Sequence, residues 1–170
     1  MNVLLLGSGG RETSLAWKIS QSKLLNRLFI IPGNVGTAKY GTNVSISLKD
    51  INAIKEFIDE ESIDMLIVGP EEPLVNGIYD QLVTIPRFKN LKIIGPSTMG
   101  AKLEGSKSFA KTFMNRHSIP TANYRYFNKN YLYEGIEYIK KQKPPIVIKA
   151  DGLAAGKGVV ICETIEEAEK

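Results

Sequence analysis

The sequence predicts an α/β protein: a parallel sheet of βαβ units, followed near residue 100 by the start of a differently built second domain. Three observations predict it. Short continuous apolar runs alternate with helix-patterned stretches, as expected of strands buried on both faces. Four of those runs, ending at Leu6, Ile31, Val68 and Ile94, are each closed by a Gly- or Pro-containing loop. Beyond residue 100 the rhythm changes to helices and two apolar strands joined by a Gly-rich connection.

The elements follow in order. Asn2–Leu6 is the first buried strand, Gly7–Gly10 its turn, and Arg11–Gln21 a helix carrying Leu15, Trp17 and Ile19. Leu28–Ile31 is a second strand, ended by Pro32-Gly33-Asn34, and Val44–Ser47 a weaker third. Asp50 has the side chain to cap a helix with Ile54, Phe57 and Ile58 on one face. Met65–Val68 is a strand closed by Gly69-Pro70, and a helix is predicted over Leu74–Val83. Leu91–Ile94 is the next strand, closed by Gly95-Pro96-Ser97. Ligands of open parallel sheets bind beyond the carboxyl ends of the strands, so these four loops are expected to line one crevice. In the second part, helices are predicted over Ser106–Arg116 and Tyr131–Lys141 and a strand over Tyr124–Phe127. Ile146–Lys149 and Val159–Cys162 form a hairpin whose connection is too long for a plain turn. Thr164 and Glu167 have capping-box spacing, yet the sequence stops at Lys170, which suggests a piece of a longer protein.

Composition removes whole classes. With 43% hydrophobic and 24% charged residues, the chain is not collagen-like, disordered or a coiled coil. Cys162 is the only cysteine, so no intrachain disulfide forms and a reducing compartment is expected. No apolar run is long enough for a membrane span, and a cytoplasmic protein without a membrane partner is the expectation. The net charge is +4, but the one dense basic run, Lys140, Lys141 and Lys143, ends a predicted helix, where the dipole favours cations. It reads as solvated surface. A small anionic ligand explains the positive balance as well as nucleic acid would, and no nucleic-acid partner is expected. A single histidine, His117, and a single cysteine assemble neither a Ser-His-Asp triad nor a metal cluster. Trp17 and Phe113 are expected in the core.

Four motifs carry possible chemistry. Gly7-Ser8-Gly9-Gly10-Arg11-Glu12 follows a strand and opens a helix, where backbone N–H groups and the helix dipole favour a phosphate. Glu12 stands where a dinucleotide fingerprint needs its third glycine, and Asn34 replaces the acidic residue that would hold a ribose, so NAD is disfavoured. A tight strand-to-helix turn without a ligand is the competing reading. Gly69-Pro70-Glu71-Glu72-Pro73 offers two carboxylates at a strand end, but taken alone it reads better as a proline-bounded turn. Lys149 to Gly158 is not a P-loop, since Asp151 stands at the first glycine position and Gly158 follows Lys157. It remains a glycine loop flanked by lysines, suited to folding over a polyphosphate. Lys107 lies near the positive end of a helix, where a bound phosphate would stabilise it and a solvated position serves equally.

These segments, in this order, resemble the glycinamide ribonucleotide synthetases (phosphoribosylamine–glycine ligases), ATP-grasp enzymes of purine biosynthesis. The likeness rests on Gly7–Glu12, Pro32-Gly33-Asn34 with Gly36-Thr37-Ala38, and Val68–Glu71 with Pro73-Leu74-Val75 and Gly77. It continues through Gly95-Pro96-Ser97, Leu103–Lys107 with Phe109-Ala110-Lys111, Ile119–Ala122 and Val147–Val160. It covers nearly the whole chain but only the N-terminal part of the family. It implies a pre-ATP-grasp domain over residues 1–103 and the beginning of an ATP-grasp domain over 104–170. It also implies ATP-dependent joining of glycine to 5-phosphoribosylamine through glycyl phosphate. By similarity, Lys149 is the catalytic lysine, and Lys107, Lys149, Asp151, Gly152, Gly156, Lys157 and Gly158 bind ATP. Gly9, Gly10, Arg11, Glu12, Asn34, Pro70 and Glu71 would hold the phosphoribosylamine. The implied cofactors are ATP and Mg2+ (or Mn2+), with the metal ligands beyond Lys170, and a monomer is expected. One departure stands out: Thr13-Ser14 occupies the place of the family's usual His-Ala, so no role for that histidine carries over. Another ATP-grasp carboxylate–amine ligase, or a non-catalytic nucleotide- or sugar-phosphate-binding module, are the competing functions.

Overall fold

The computed structural model describes residues 1–154 and 157–170. The chain divides into two compact units, Met1–Lys102 and Leu103–Lys170.

The first unit is built on five parallel strands in the order β3-β2-β1-β4-β5. They are β1 (Asn2–Gly7), β2 (Arg27–Pro32), β3 (Thr42–Asn43), β4 (Met65–Val68) and β5 (Lys92–Ile94). Strand β1 is central, and Leu4, Leu5 and Leu6 are completely buried, because parallel strands covered on both faces need continuous apolar sequence. Alternate residues face opposite sides. Leu4, Leu6, Phe29, Ile31, Leu66 and Val68 pack against α2 (Ile51–Glu60), α3 (Glu71–Val75) and α4 (Ile78–Val83) through Ile54, Ile58, Leu74, Ile78 and Leu82. Val3, Leu5, Leu28 and Ile30 face α1 (Gly10–Ser20) through Ala16, with Leu15 and Ile19 beside it. Asp50 caps α2 as its sequence position predicts, its Oδ1 accepting from the Ala53 N–H at 3.0 Å.

Several expectations are corrected. The third strand lies at Thr42–Asn43 rather than Val44–Ser47; Val44 donates once more to the Ile30 carbonyl, then the chain leaves the sheet, while Val44 and Ile46 still pack on the core. The helix expected over Leu74–Val83 is two helices, α3 and α4, because Gly77 takes φ +85° and turns the chain between them. Trp17 is not core: it is 51% exposed, since Ala16 is the residue of α1 that meets the sheet. An additional helix, α5 (Thr98–Gly105), follows β5, its first turn held by Asp80, which accepts from the Thr98 N–H at 2.7 Å.

The second unit holds α6 (Lys107–Arg116), α7 (Leu132–Ile139), an antiparallel hairpin of β6 (Ile146–Lys149) and β7 (Val159–Cys162), and α8 (Ile165–Ala168). Residues Tyr124–Phe127 are irregular rather than a strand: no backbone partner pairs with them among the described residues. Phe113 is half-buried against His117, ring centroids 4.3 Å apart. Thr164 caps α8 through the Glu167 N–H, and Glu167 reaches back to the Glu163 N–H rather than to Thr164. Among the described residues of this unit only Gly135, Cys162 and Ala168 are buried, while Val147, Ile148, Val159, Val160 and Ile161 are exposed.

Candidate functional site

The register sets the first candidate site. Leu6 pairs with Ile31 on one side and Val68 on the other, and Ile67 pairs with Ile94. The loops after β2, β1, β4 and β5 therefore leave the sheet side by side, along one edge, as the strand-end pattern predicts.

Two polar side chains bind three of these loops together. Glu12, 3% exposed, turns back beneath its own loop. Its Oε2 accepts from the Gly9 N–H at 2.7 Å and its Oε1 from Arg11 Nε at 3.0 Å. Its carboxylate also lies against Gly69 at the end of β4. A β-carbon there would overlap Glu12 Oε1 and stand 2.8 Å from the Leu6 carbonyl oxygen; one on Gly7 would stand 2.6 Å from Glu12 Cδ. Both positions admit only glycine as long as Glu12 fills the space.

Asn34 makes the second link. Its Nδ2 donates to the Ser8 carbonyl at 2.8 Å and to Thr13 Oγ1 at 3.0 Å. Its Oδ1 accepts from the Gly36 and Thr37 N–H groups at 2.6 and 3.0 Å. The fully buried Thr37 and the partly buried Asn43 complete the knot, Thr37 Oγ1 donating to Asn43 Oδ1 at 2.8 Å and Asn43 Nδ2 to the Asn34 carbonyl at 2.7 Å.

Of the residues expected to meet a sugar phosphate, then, Gly9, Glu12 and Asn34 have their polar groups engaged within the protein. Gly10 and Arg11 open α1 with backbone N–H groups that no described residue accepts, and the Arg11 side chain is 58% exposed. Pro70 precedes α3 and Glu71 begins it, with no hydrogen bond or ion pair of the Glu71 carboxylate among the described residues. Sequence reasoning missed Thr13, Thr37 and Asn43. The Asn-x-Gly-Thr run after Pro-Gly, which favours side-chain-to-backbone turns, is the signal that points to them.

The second candidate site lies in the second unit. The β6–β7 ladder runs from Ile146–Cys162 to Lys149–Val159 and extends one bond further, Ala150 donating to the Gly158 carbonyl at 2.8 Å. Asp151 then reaches the start of α6. Its carboxylate accepts from the Lys107 N–H at 2.6 Å, the Ser108 N–H at 3.3 Å, Ser108 Oγ at 2.5 Å and Ser106 Oγ at 3.2 Å. Burial pushes the Asp151 carboxyl up, but the bonds from Ser108, Gly152 and Lys107 outweigh it and hold the group below its ordinary range. The helix end that sequence reasoning offered to a phosphate thus already faces an anion of the protein. Lys107 Nζ donates to the Gly152 carbonyl at 2.7 Å. Lys149 and Lys157 are exposed, and neither ammonium has an acceptor among the described residues. Gly156 lies outside the described residues. Among those residues no three His, Cys, Asp or Glu side chains gather as a metal site, and no helix is long and apolar enough to cross a membrane.

Known proteins match the chain along its whole length. Residues 1–104 match the model of the phosphoribosylglycinamide synthetase N domain, and residues 105–170 that of the phosphoribosylglycinamide synthetase ATP-grasp (A) domain. The phosphoribosylamine–glycine ligase of Clostridium acetobutylicum is 49% identical over 170 residues, all of this chain and 39% of that protein. The ligase of Escherichia coli K12 is 50% identical over 171 residues, 99% of this chain and 38% of the relative. The crystal structure of the Thermotoga maritima phosphoribosylamine–glycine ligase superposes with a TM-score of 0.70 at 33% identity, covering 99% of this chain and 38% of that one. The chain thus spans under two fifths of the length of these relatives, and it belongs to the phosphoribosylglycinamide synthetase family.

Proposed function

We propose that this chain supplies the sugar-phosphate site and the nucleotide-covering hairpin of an ATP-dependent ligase that joins glycine to 5-phosphoribosylamine. The γ-phosphoryl group of ATP passes to the glycine carboxylate, giving glycyl phosphate and ADP. The amine of phosphoribosylamine then attacks the acyl carbon, phosphate leaves, and the amine gives up a proton, forming glycinamide ribonucleotide. Phosphoryl transfer of this kind depends on positioning and charge neutralisation. Lys149 is the catalytic lysine of the reading, and Lys107, Asp151, Gly152, Gly156, Lys157 and Gly158 form the cover over the phosphates. Gly10, Arg11 and the loops beside them receive the phosphoribosylamine. The functional division is placed between residues 103 and 104. Mg2+ or Mn2+ belongs to the reading as the partner of ATP; no three metal-ligating side chains gather among the described residues, and no step is assigned to the ion. The protein is taken as a cytoplasmic monomer acting on small molecules, with no nucleic-acid or membrane partner; the unpaired, buried Cys162 supports a reducing compartment.

The observation that carries the reading is the joining, in one chain, of a parallel-sheet edge of linked loops to a hairpin whose two lysines, Lys149 and Lys157, are without protein acceptors among the described residues. The test is a chimera in which this chain replaces the matched residues of a curated relative. ADP release that requires both glycine and phosphoribosylamine, and that falls by orders of magnitude on Lys149→Ala, is expected. A folded chimera that releases ADP with a different amine acceptor, or none at all, would overturn it.

A further inference from the structure

We propose that Glu12 is a positioning residue for the anion-binding loop: its buried carboxylate fixes Gly9 by the backbone and Arg11 by Nε, and the Arg11 guanidinium is the group that meets the substrate's phosphate. The inference rests on the reading that this sheet edge holds a sugar phosphate.

The two acidic oxygens are both in use. Oε2 holds the Gly9 N–H and Oε1 holds Arg11 Nε. A carboxylate accepts only, so a Glu12 turned outward would repel a phosphate and offer it no hydrogen. Turned inward, it sits between the ends of neighbouring strands β1 and β4, in the space that Gly7 and Gly69 leave by lacking a β-carbon. That burial makes it a fixed point of the frame.

Arg11 is the complement. Its Nε is tied to Glu12, while neither Nη group has an acceptor among the described residues, and the side chain is 58% exposed. The guanidinium is planar, so holding Nε also sets the direction of the two remaining N–H edges. Such a fork matches phosphate geometry and makes the stronger, charge-assisted kind of hydrogen bond. The free N–H groups of Gly10 and Arg11 at the start of α1 add donors of the same sense beside it.

Charge and position predict opposite signs for one substitution. Glu12→Gln removes a negative charge near the bound anion, which by Coulomb's law alone tightens binding. Gly9 and Arg11 Nε bond to different oxygens of the carboxylate, and in the amide one of these becomes a donating NH2, so the variant sets a donor against a donor at one of the two contacts. The experiment titrates ribose 5-phosphate into the chimera described above and into its Glu12→Gln, Arg11→Lys and double variants, following affinity and the Arg11 Nε–H resonance. Each single variant is expected to bind about tenfold more weakly, and the double variant no more weakly than either, because one residue acts through the other. In Glu12→Gln the Arg11 Nε–H signal loses its hydrogen-bonded position while the amide spectrum keeps the native dispersion. Equal or tighter binding by folded Glu12→Gln overturns the proposal. Should that variant fail to fold, Arg11→Lys decides, since it leaves the buried carboxylate and its bond to Gly9 in place: parent-like affinity overturns the proposal. No binding by the parent protein is a different failure, which removes the sugar-phosphate reading and this inference with it.

Discussion

The backbone N–H of Lys107 donates to the Asp151 carboxylate at 2.6 Å, across 44 residues of chain. With Ser106 and Ser108 on the same carboxylate, this contact ties the strand-to-loop junction after β6 to the first turn of α6. Asp151→Ala is expected to lower stability by about 1 kcal/mol, the usual effect of removing a helix cap, and to speed amide exchange at Lys107 and Ser108. Because the folded carboxyl lies below the ordinary value of 3.8, its contribution is present above that value. It is lost as the pH falls through the lower folded value. An acid titration of the Lys107 amide signal measures the loss. A parent-like exchange rate in the alanine variant would show that the tie carries no weight.

Asn34 uses both ends of its amide, Nδ2 toward Ser8 and Thr13, Oδ1 toward Gly36 and Thr37. Asn34→Asp keeps the accepting end and sets an oxygen against the Ser8 carbonyl. Both Asn34→Asp and Asn34→Ala are expected to destabilise the first unit by about 2–3 kcal/mol, since each leaves partly buried groups unpaired. Thermal denaturation of the pair is the check; a harmless aspartate would mean that the donor end is dispensable.

Gly69→Ala presses on two neighbours at once, the Glu12 carboxylate and the Leu6 carbonyl, and the second is backbone. Gly10→Ala, by contrast, meets nothing within 4 Å. The Gly69 variant is expected to cost about 1–3 kcal/mol, in the range of overpacked cores, while Gly10→Ala leaves the melting temperature nearly unchanged. Melting curves of the two proteins, compared directly, decide it.

Trp17→Ala tests the surface position of the one tryptophan. With half of the residue exposed, a loss below about 1 kcal/mol is expected, as for other surface positions. Leu66→Ala, at a fully buried position, is expected to lose about 2–5 kcal/mol. Similar losses in the two variants would refute the assignment of Trp17 to the outer face of α1.

Four of the five strands were legible because they are short apolar runs, whereas β3 is the polar pair Thr42–Asn43 and was expected two residues too late; the loops at one edge followed from the parallel order. What local pattern missed was decided by single residues. Trp17 has an apolar side chain, but its neighbour Ala16 is small enough to let α1 approach the sheet. Leu74–Val83 has helical composition throughout, yet Gly77 at φ +85° divides it. Tyr124–Phe127 has aromatic, strand-like sequence and finds no strand to pair with among the described residues. At the candidate site, residue types pointed to loops that the sheet brings side by side but not to the direction of each side chain. Glu12 and Asn34 are polar residues beside a phosphate-type loop, and only the glycine clearances and hydrogen bonds reveal that both turn inward.

The uneven burial has a mechanical consequence. The first unit closes around fully buried leucines and isoleucines, whereas the second, among its described residues, buries only a glycine, a cysteine and an alanine. Opening free energies follow buried apolar contact, so within these 170 residues the two units are of unequal hardness. On gentle warming the hairpin and its helices should loosen while the parallel sheet still holds. A trace of protease in that interval would trim the chain to a resistant fragment resembling Met1–Lys102.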